Sequence, residues 1–248
     1  MIELLIVGAG PAGLSAAIAA AESDVKVTVI DEFPRAGGRL IGQLYQKPDG
    51  EWWNGVELSG GLNDKAVSMG VDIQCGVSVY DIEKTDGSWI IYTNDKTFYT
   101  ENLLLATGSS EKALAVPGWT LPGVMSIGAA QVMTNVHRVK PGDDCVVIGA
   151  NVLSISIAHE LVMAGVNVKS IILPESNSLS GDAGKPEKVM ESLMRLTHLA
   201  PGKILRQLGK VGKKINPKIA VRLFPKEGIK MLGVQIKIKT AALEIIGD

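Results

Sequence analysis

The 248-residue chain predicts an α/β fold built around two βαβ units. Three observations carry that expectation. Apolar runs at 3–7 and 145–148 each end in glycine, an aliphatic-rich stretch follows each, and a second β-branched run follows each stretch. Short strand-like runs between the two units, punctuated by Asp86-Gly87 and Asn94-Asp95, add a three-stranded antiparallel meander.

In order, Glu3 to Val7 is a short apolar run, as a buried parallel strand is. Residues 11–22, rich in alanine and leucine, form a helix, and Val25 to Ile30 form the second strand. Residues 34–61 hold many glycines, Pro34, Pro48 and the pair Trp52-Trp53, and read as loop with little regular structure. The two tryptophans pack that loop against a core or, less simply, stack near a bound cofactor or line a substrate path. A helix over 62–69 precedes the meander, whose strands are Val71 to Val79, Trp89 to Thr93 and Thr97 to Tyr99. Leu103-Leu104-Leu105-Ala106-Thr107-Gly108 is a further buried strand ending in a turn.

Pro117-Gly118 and Pro122-Gly123 mark a boundary, so the expected domains are 1–117 and 118–248. A helix near 128–138 follows. The second unit then has its first strand at 145–149, its helix at 152–164 and its second strand at 166–173. Residues 174–186 are a polar loop, and 187–215 look helical in pieces, broken at Pro201-Gly202. Runs 234–238 and 242–246 are strand-like.

An apolar share of 46% supports a packed core. The net charge of -1 gives no sign of nucleic acid. Residues 1–180 carry 11 basic and 20 acidic side chains, net -9, whereas 181–248 carry 14 and 6, net +8. That basic tail is a docking face for a partner or anionic cofactor or, more simply, the solvated side of Lys-rich helices. Cys75 and Cys145 form no CxxC and read as core thiols. His137, His159 and His198 lack metal-ligand spacing, so no metal is expected. No signal peptide and no apolar run of 18 or more residues is seen, so the expectation is a cytoplasmic protein without membrane insertion.

The chemistry-bearing motif is Gly8-Ala9-Gly10-Pro11-Ala12-Gly13, a GxGxxG between strand and helix. Gly8 permits the tight turn, Gly10 lets backbone approach a pyrophosphate, and Gly13 lets helix and strand pack closely. The helix start directs free N–H groups and a positive dipole end at the phosphates. Asp31, 18 residues after Gly13 at the end of the second strand, is the first choice to bind ribose hydroxyls, with Glu32 next. These features define a Rossmann-like nucleotide-binding fold.

Gly8 to Gly13, Asp31-Glu32, Gly37-Gly38 and Ala106-Thr107-Gly108 together resemble the two-dinucleotide-binding-domain flavoproteins, the pyridine nucleotide-disulfide oxidoreductase superfamily. The resemblance implies FAD, with cofactor contacts at Gly37, Gly38, Ala106, Thr107 and Gly108. It also places Arg39, Gln43 and Val79 among the cofactor candidates. A closer likeness lies in Pro117-Gly118-Trp119-Thr120-Leu121-Pro122-Gly123-Val124-Met125, followed by Gly128-Ala129-Ala130-Gln131, and in Asp31-Glu32-Phe33-Pro34. These segments are similar to FAD subunits of opine oxidase, hydrogen cyanide synthase and dye-linked proline dehydrogenase, and to the large subunit of heterotetrameric sarcosine oxidase. That similarity implies oxidation of amines or amino acids, often with another subunit. Disulfide-reducing relatives place CxxxxC after the Gly-Gly turn or CxxC in the second domain, and this chain has neither.

At the second unit, Gly149-Ala150-Asn151-Val152-Leu153-Ser154 keeps only the first glycine of the pattern. Asn151 puts a side chain where backbone would meet a pyrophosphate, and Ser154 adds bulk. Gly149 stays a cofactor candidate. Two readings stand: an NAD(P) site, or a nucleotide fold kept for structure. The resemblance also implies a later return of the chain to the FAD domain. The C-terminus therefore reads as incomplete, and Gly247-Asp248 is not that returning motif.

The leading expectation is an FAD-dependent oxidoreductase subunit passing a hydride between an amine or amino-acid substrate, or NAD(P)H, and FAD. It would work in a homo- or hetero-oligomer with another oxidoreductase subunit, with no catalytic acid or base assignable. The alternatives are an NAD(P)H-dependent flavin reductase and a non-catalytic fragment acting as a binding subunit.

Overall fold

The computed structural model describes residues 1–47, 50–195 and 216–247. The helical pieces expected over 196–215, with His198 and Pro201-Gly202, lie outside the described residues, as do Pro48 and Asp248. The chain divides into two compact units, Met1–Tyr45 with Trp52–Ser110, and Gln46–Glu51 with Glu111–Asp248.

Unit 1 opens with β1 (Ile2–Val7), α1 (Pro11–Ala21) and β2 (Val27–Asp31). Alanines at one position in two along α1 keep the helix close to the sheet. A 3-10 turn (Gly38–Gly42), β3 (Leu44–Gln46) and β4 (Trp52–Asn54) lead to α2 (Gly55–Ser68). Then come β5 (Asp72–Cys75), β6 (Val79–Thr85), β7 (Ser88–Thr93) and β8 (Thr97–Leu105). The six-stranded sheet runs β5-β2-β1-β8-β7-β6. Its first four strands are parallel and the last three form the antiparallel meander. Strand alternation sends Ile6 and Val29 to the α1 face, with Leu14 and Ala17, and Leu5, Val7 and Ile30 to the opposite face, with Ile91 and Phe98.

Four local expectations are corrected in unit 1. The stretch 34–61 is more ordered than a loop, and α2 starts seven residues before the expected position 62. Asn54 caps α2, its Oδ1 accepting the Val56 N–H at 3.0 Å. The run 71–79 holds one strand, β5, which stops before Gly76 at φ +79°, and only the first residue of β6, which continues to Thr85. Its first part, β5, pairs in parallel with β2, so the meander begins only at β6. The runs 97–99 and 103–105 are a single strand, β8, held continuous by its ladder with β1 from Thr100 to Leu105. That strand is not buried at its end: Leu104 is 38% and Leu105 58% exposed. β7 pairs only with residues 97–100 of β8, so among the described residues no strand covers the other edge of 101–105.

Unit 2 contains α3 (Ile127–Gln131), continued by a wider π turn (Val132–Val136), then β9 (Asp144–Ile148), α4 (Val152–Met163) and β10 (Asn167–Pro174). The last three reproduce the expected second βαβ unit. After a 3-10 turn (Gly181–Gly184) come α5 (Pro186–Arg195), α6 (Pro217–Leu223), β11 (Ile229–Met231) and β12 (Val234–Ala242). The sheet order is β11-β12-β10-β9, with β9, β10 and β12 parallel and β11 folded back on β12. The two runs expected at 234–238 and 242–246 are thus one strand followed by an extended tail, while α6 and β11 have no counterpart in the sequence pattern. Ile155, Ile157, Leu161, Ile171, Leu173, Ile236 and Ile238 form the core between α4 and this sheet.

Candidate dinucleotide site

Unit 1 brings its sequence-distant glycines together at the start of α1. Gly8 turns at φ +109°, and its N–H donates to Ile30 O at 2.8 Å, which ties the turn to the end of β2. A Cβ on Gly8 would fall 2.4 Å from Ala106 O, so the Ala106-Thr107 backbone packs directly on the turn. A Cβ on Gly13 would fall 1.8 Å from Gly8 O; only glycine permits that helix–turn contact.

The Gly37-Gly38 turn closes from the other side. Gly37 N–H donates to Ala9 O at 2.8 Å, and a Cβ on Gly38 would lie 3.0 Å from Gly10 Cα. Gly37, at φ +125°, is packed against Ser59 of α2 and Ile41, so α2 backs this turn. The helix start within this assembly is left open. A Cβ at Gly10 would meet nothing within 4 Å, and α1 has no side-chain cap. Pro11 brings no N–H and suits the first helical position. Leu14 N–H bonds back to Gly10 O at 2.9 Å, leaving the amides of Ala12 and Gly13 ahead of it as the helix's outward donors. Bare backbone, uncapped amides and a helix dipole are the donor set a pyrophosphate needs, so the residues present fit a dinucleotide here.

Asp31 stands at the end of β2 as expected, but its carboxylate is 9% exposed and engaged at both oxygens. Oδ2 accepts the Ala9 N–H at 2.6 Å and Oδ1 the Phe33 N–H at 2.8 Å. Asp31 therefore fastens the glycine turn to the loop after β2. Glu32 is exposed beside it. Arg39 and Gln43 are exposed on the 3-10 turn and at its end, and Thr107 and Gly108 are exposed past β8. Val79 sits in the core cluster opposite the α1 face. Ala9, whose N–H meets Asp31, has no sequence signal of its own beyond its place between the first two glycines.

Gly149 lies in unit 2, at a turn of the same shape. Its φ is +109° and its N–H donates to Ile172 O at 2.7 Å. The helix start that follows is closed. Asn151 Oδ1 accepts the Ser154 N–H and Ser154 Oγ accepts the Asn151 N–H, both at 2.9 Å, a reciprocal cap. The Asn-x-x-Ser spacing is that of a cap, whereas the sequence pattern suggested only added bulk at Ser154. The residues at this second turn do not fit a dinucleotide bound in the manner of the first.

The remaining candidates are engaged elsewhere. His159 Nδ1 lies 3.0 Å from Leu232 O, at the β11–β12 turn. Glu160 is 6% exposed and accepts from Gln131 at 2.9 Å and Asn135 at 2.6 Å. Burial holds its carboxyl above the usual range, against those two hydrogen bonds and the His159 charge. Cys75 on β5 and Cys145 on β9 are free thiols in different units. Burial, then the charge of Asp31, pushes the Cys75 thiol up; burial, then Asp144, does the same for Cys145. Among the described residues no group of three or more His, Cys, Asp or Glu could hold a metal ion. Among them, too, no helix is long and apolar enough to cross a membrane.

Two parallel-sheet units, each with a glycine turn between its first strand and first helix, define a two-unit Rossmann-like protein of the dinucleotide-binding class. Residues 2–248 match the model of the pyridine nucleotide-disulphide oxidoreductase family, and the chain belongs to that family. It is 36% identical over 182 residues to an opine oxidase subunit of Agrobacterium tumefaciens, covering 66% of this chain and 35% of that one. It is 30% identical over 215 residues to the hydrogen cyanide synthase subunit HcnB of Pseudomonas protegens, covering 79% and 44%. Among solved structures, Lactococcus lactis thioredoxin reductase shares the fold at a TM-score of 0.63 and 20% identity, covering 100% of this chain and 68% of that one. The chain thus spans well under two thirds of the length of these two curated relatives.

Proposed function

We propose that the chain is the FAD-binding portion of an oxidoreductase that acts on amines or amino acids without a redox-active disulfide. The carrying observation is the open α1 start: bare Gly10, approached by Gly38 and set beside the close packing of Gly8, Gly13 and Ala106, with uncapped amides beyond it. Gly10, Ala12 and Gly13 would hold the pyrophosphate through backbone N–H groups. Asp31 keeps the turn in shape through Ala9 and Phe33, and exposed Glu32 takes the ribose hydroxyls. Gly37, Gly38, Arg39, Gln43, Thr107 and Gly108 would contact the rest of the cofactor. FAD held by these residues would supply a hydride acceptor for the carbon beside an amine nitrogen.

The similarity to the Agrobacterium opine oxidase chain supports the substrate class, and that relative's being one subunit of its oxidase supports assembly with another chain. Among the described residues β8 has a bare edge at 101–105, and with exposed Leu104 and Leu105 this supports the packing of a further polypeptide segment or another oxidoreductase subunit on unit 1. Raised thiol pKa values disfavour the thiolate, which supports chemistry without a disulfide.

The test is FAD binding by reconstituted protein, followed by anaerobic mixing with secondary amines and N-substituted amino acids in the presence of the partner subunit. Flavin bleaching by a member of that panel is expected. A flavin that none of them reduces, or a chain without affinity for FAD, removes the reading. Glu32→Gln should weaken FAD about tenfold with the unfolding midpoint unchanged.

A further inference from the structure

We infer that unit 2, despite its nucleotide-binding topology, takes no nicotinamide dinucleotide at the start of α4, because the chain closes that position with its own Asn151–Ser154 cap. This goes beyond the proposed function, which concerns unit 1 alone.

A pyrophosphate binds a helix start through the amides that the helix leaves unpaired. At α4 the Ser154 amide is already held by Asn151 Oδ1, and the Asn151 amide by Ser154 Oγ, each at 2.9 Å. The Ser154 hydroxyl also donates to Asn151 O at 3.0 Å, and the residue is 3% exposed. That hydroxyl is committed inside the turn both as donor and as acceptor. Entry of a phosphate would break the reciprocal pair and set its negative oxygens against the partial negative charge of Asn151 Oδ1. The same positions in unit 1, Gly10 and Gly13, carry no side chains.

The surroundings reinforce the closure. Leu114 Cδ1 lies 3.0 Å from where a Cβ on Gly149 would fall, so an apolar side chain of unit 2 covers the turn itself. The carboxyl ends of β10 and β12 are where an open α/β sheet receives a ligand. There Leu114, Pro174 and Leu243, together with the polar Glu175, Asn177 and Ser180, line a cavity of about 10 Å³, on the scale of one water molecule. A nicotinamide seated on α4 would therefore not be the reductant of a flavin held by unit 1.

Equilibrium dialysis of the FAD-loaded full chain against NADH, and separately against NADPH, tests this without turnover. No saturable binding is expected up to about 1 mM. Asn151→Gly keeps a tolerated helix start while removing the blocking oxygen, and should raise NADH affinity roughly tenfold or more. Asn151→Asp keeps the cap and serves as a folded control that stays without binding. Saturable one-to-one binding by the unaltered chain that Asn151→Asp abolishes would overturn the inference. So would a folded Asn151→Gly chain that gains nothing, since the cap would then not be the closing device. A chain that binds neither FAD nor NADH removes the flavoprotein reading and supports this one.

Discussion

The two glycine turns of this protein begin alike and end differently. Gly8 and Gly149 share φ +109°, and each donates its N–H to the second strand of its unit, at 2.8 and 2.7 Å. Two residues later the units part: Gly10 has open space where a Cβ would be, while Asn151 caps its helix and is capped in return. The first glycine and its strand bond set the βαβ turn, and the residue at the helix start decides whether the turn presents donors to a ligand or spends them internally. A βαβ topology alone therefore does not make a binding site.

The largest effect that could break this comparison lies at the third position of the motif. Gly13→Val drives a Cβ onto Gly8 O and should destabilise the chain by about 3 kcal/mol in urea unfolding. Ser154→Gly, at the matching place in unit 2, removes one half of a cap and should cost only about 1 kcal/mol. Next, Asp31→Ala strips two backbone amides of a buried charged acceptor, and a loss of about 2 kcal/mol is expected. An unchanged unfolding midpoint would mean that Asp31 does not brace the turn.

The smallest effect is a pH dependence in unit 2. Glu160's folded-state pKa lies above its unfolded value, chiefly through burial. The folded chain then keeps that proton longer. The stability that this one group contributes is full below the ordinary carboxylate range and is lost as pH rises through the folded-state value. Glu160→Gln removes this titration and should flatten the urea midpoint as pH rises from the ordinary carboxylate range, measured against the unaltered chain.

Much of this was legible in residues because glycine leaves a fixed signature. Gly8, Gly10 and Gly13 recur at offsets that only a strand–turn–helix uses, and both βαβ units fell where their apolar runs placed them. Other features depend on contacts between distant segments. The start of α2 was hidden by its glycines, yet Gly55 is there because a Cβ would lie 1.7 Å from Leu40 O, a constraint invisible without the 3-10 turn. Polar Glu101-Asn102 concealed the continuity of β8, since a backbone ladder, not side-chain burial, carries the strand through them. Asp31's position was readable and its engagement was not: which amides meet its carboxylate is decided by how Ala9 and Phe33 fold beside it. The cap at Asn151 was written in Asn-x-x-Ser, but its consequence emerges only beside the bare turn of unit 1.

The most direct measurement is the flavin-to-protein ratio of the FAD-reconstituted chain and its Gly10→Val variant, whose new side chain meets open space. One FAD per unaltered chain is expected, with affinity about a hundredfold weaker in the variant and matching circular dichroism spectra. An unaltered chain that holds no FAD, or a variant that holds it as tightly, would contradict the account.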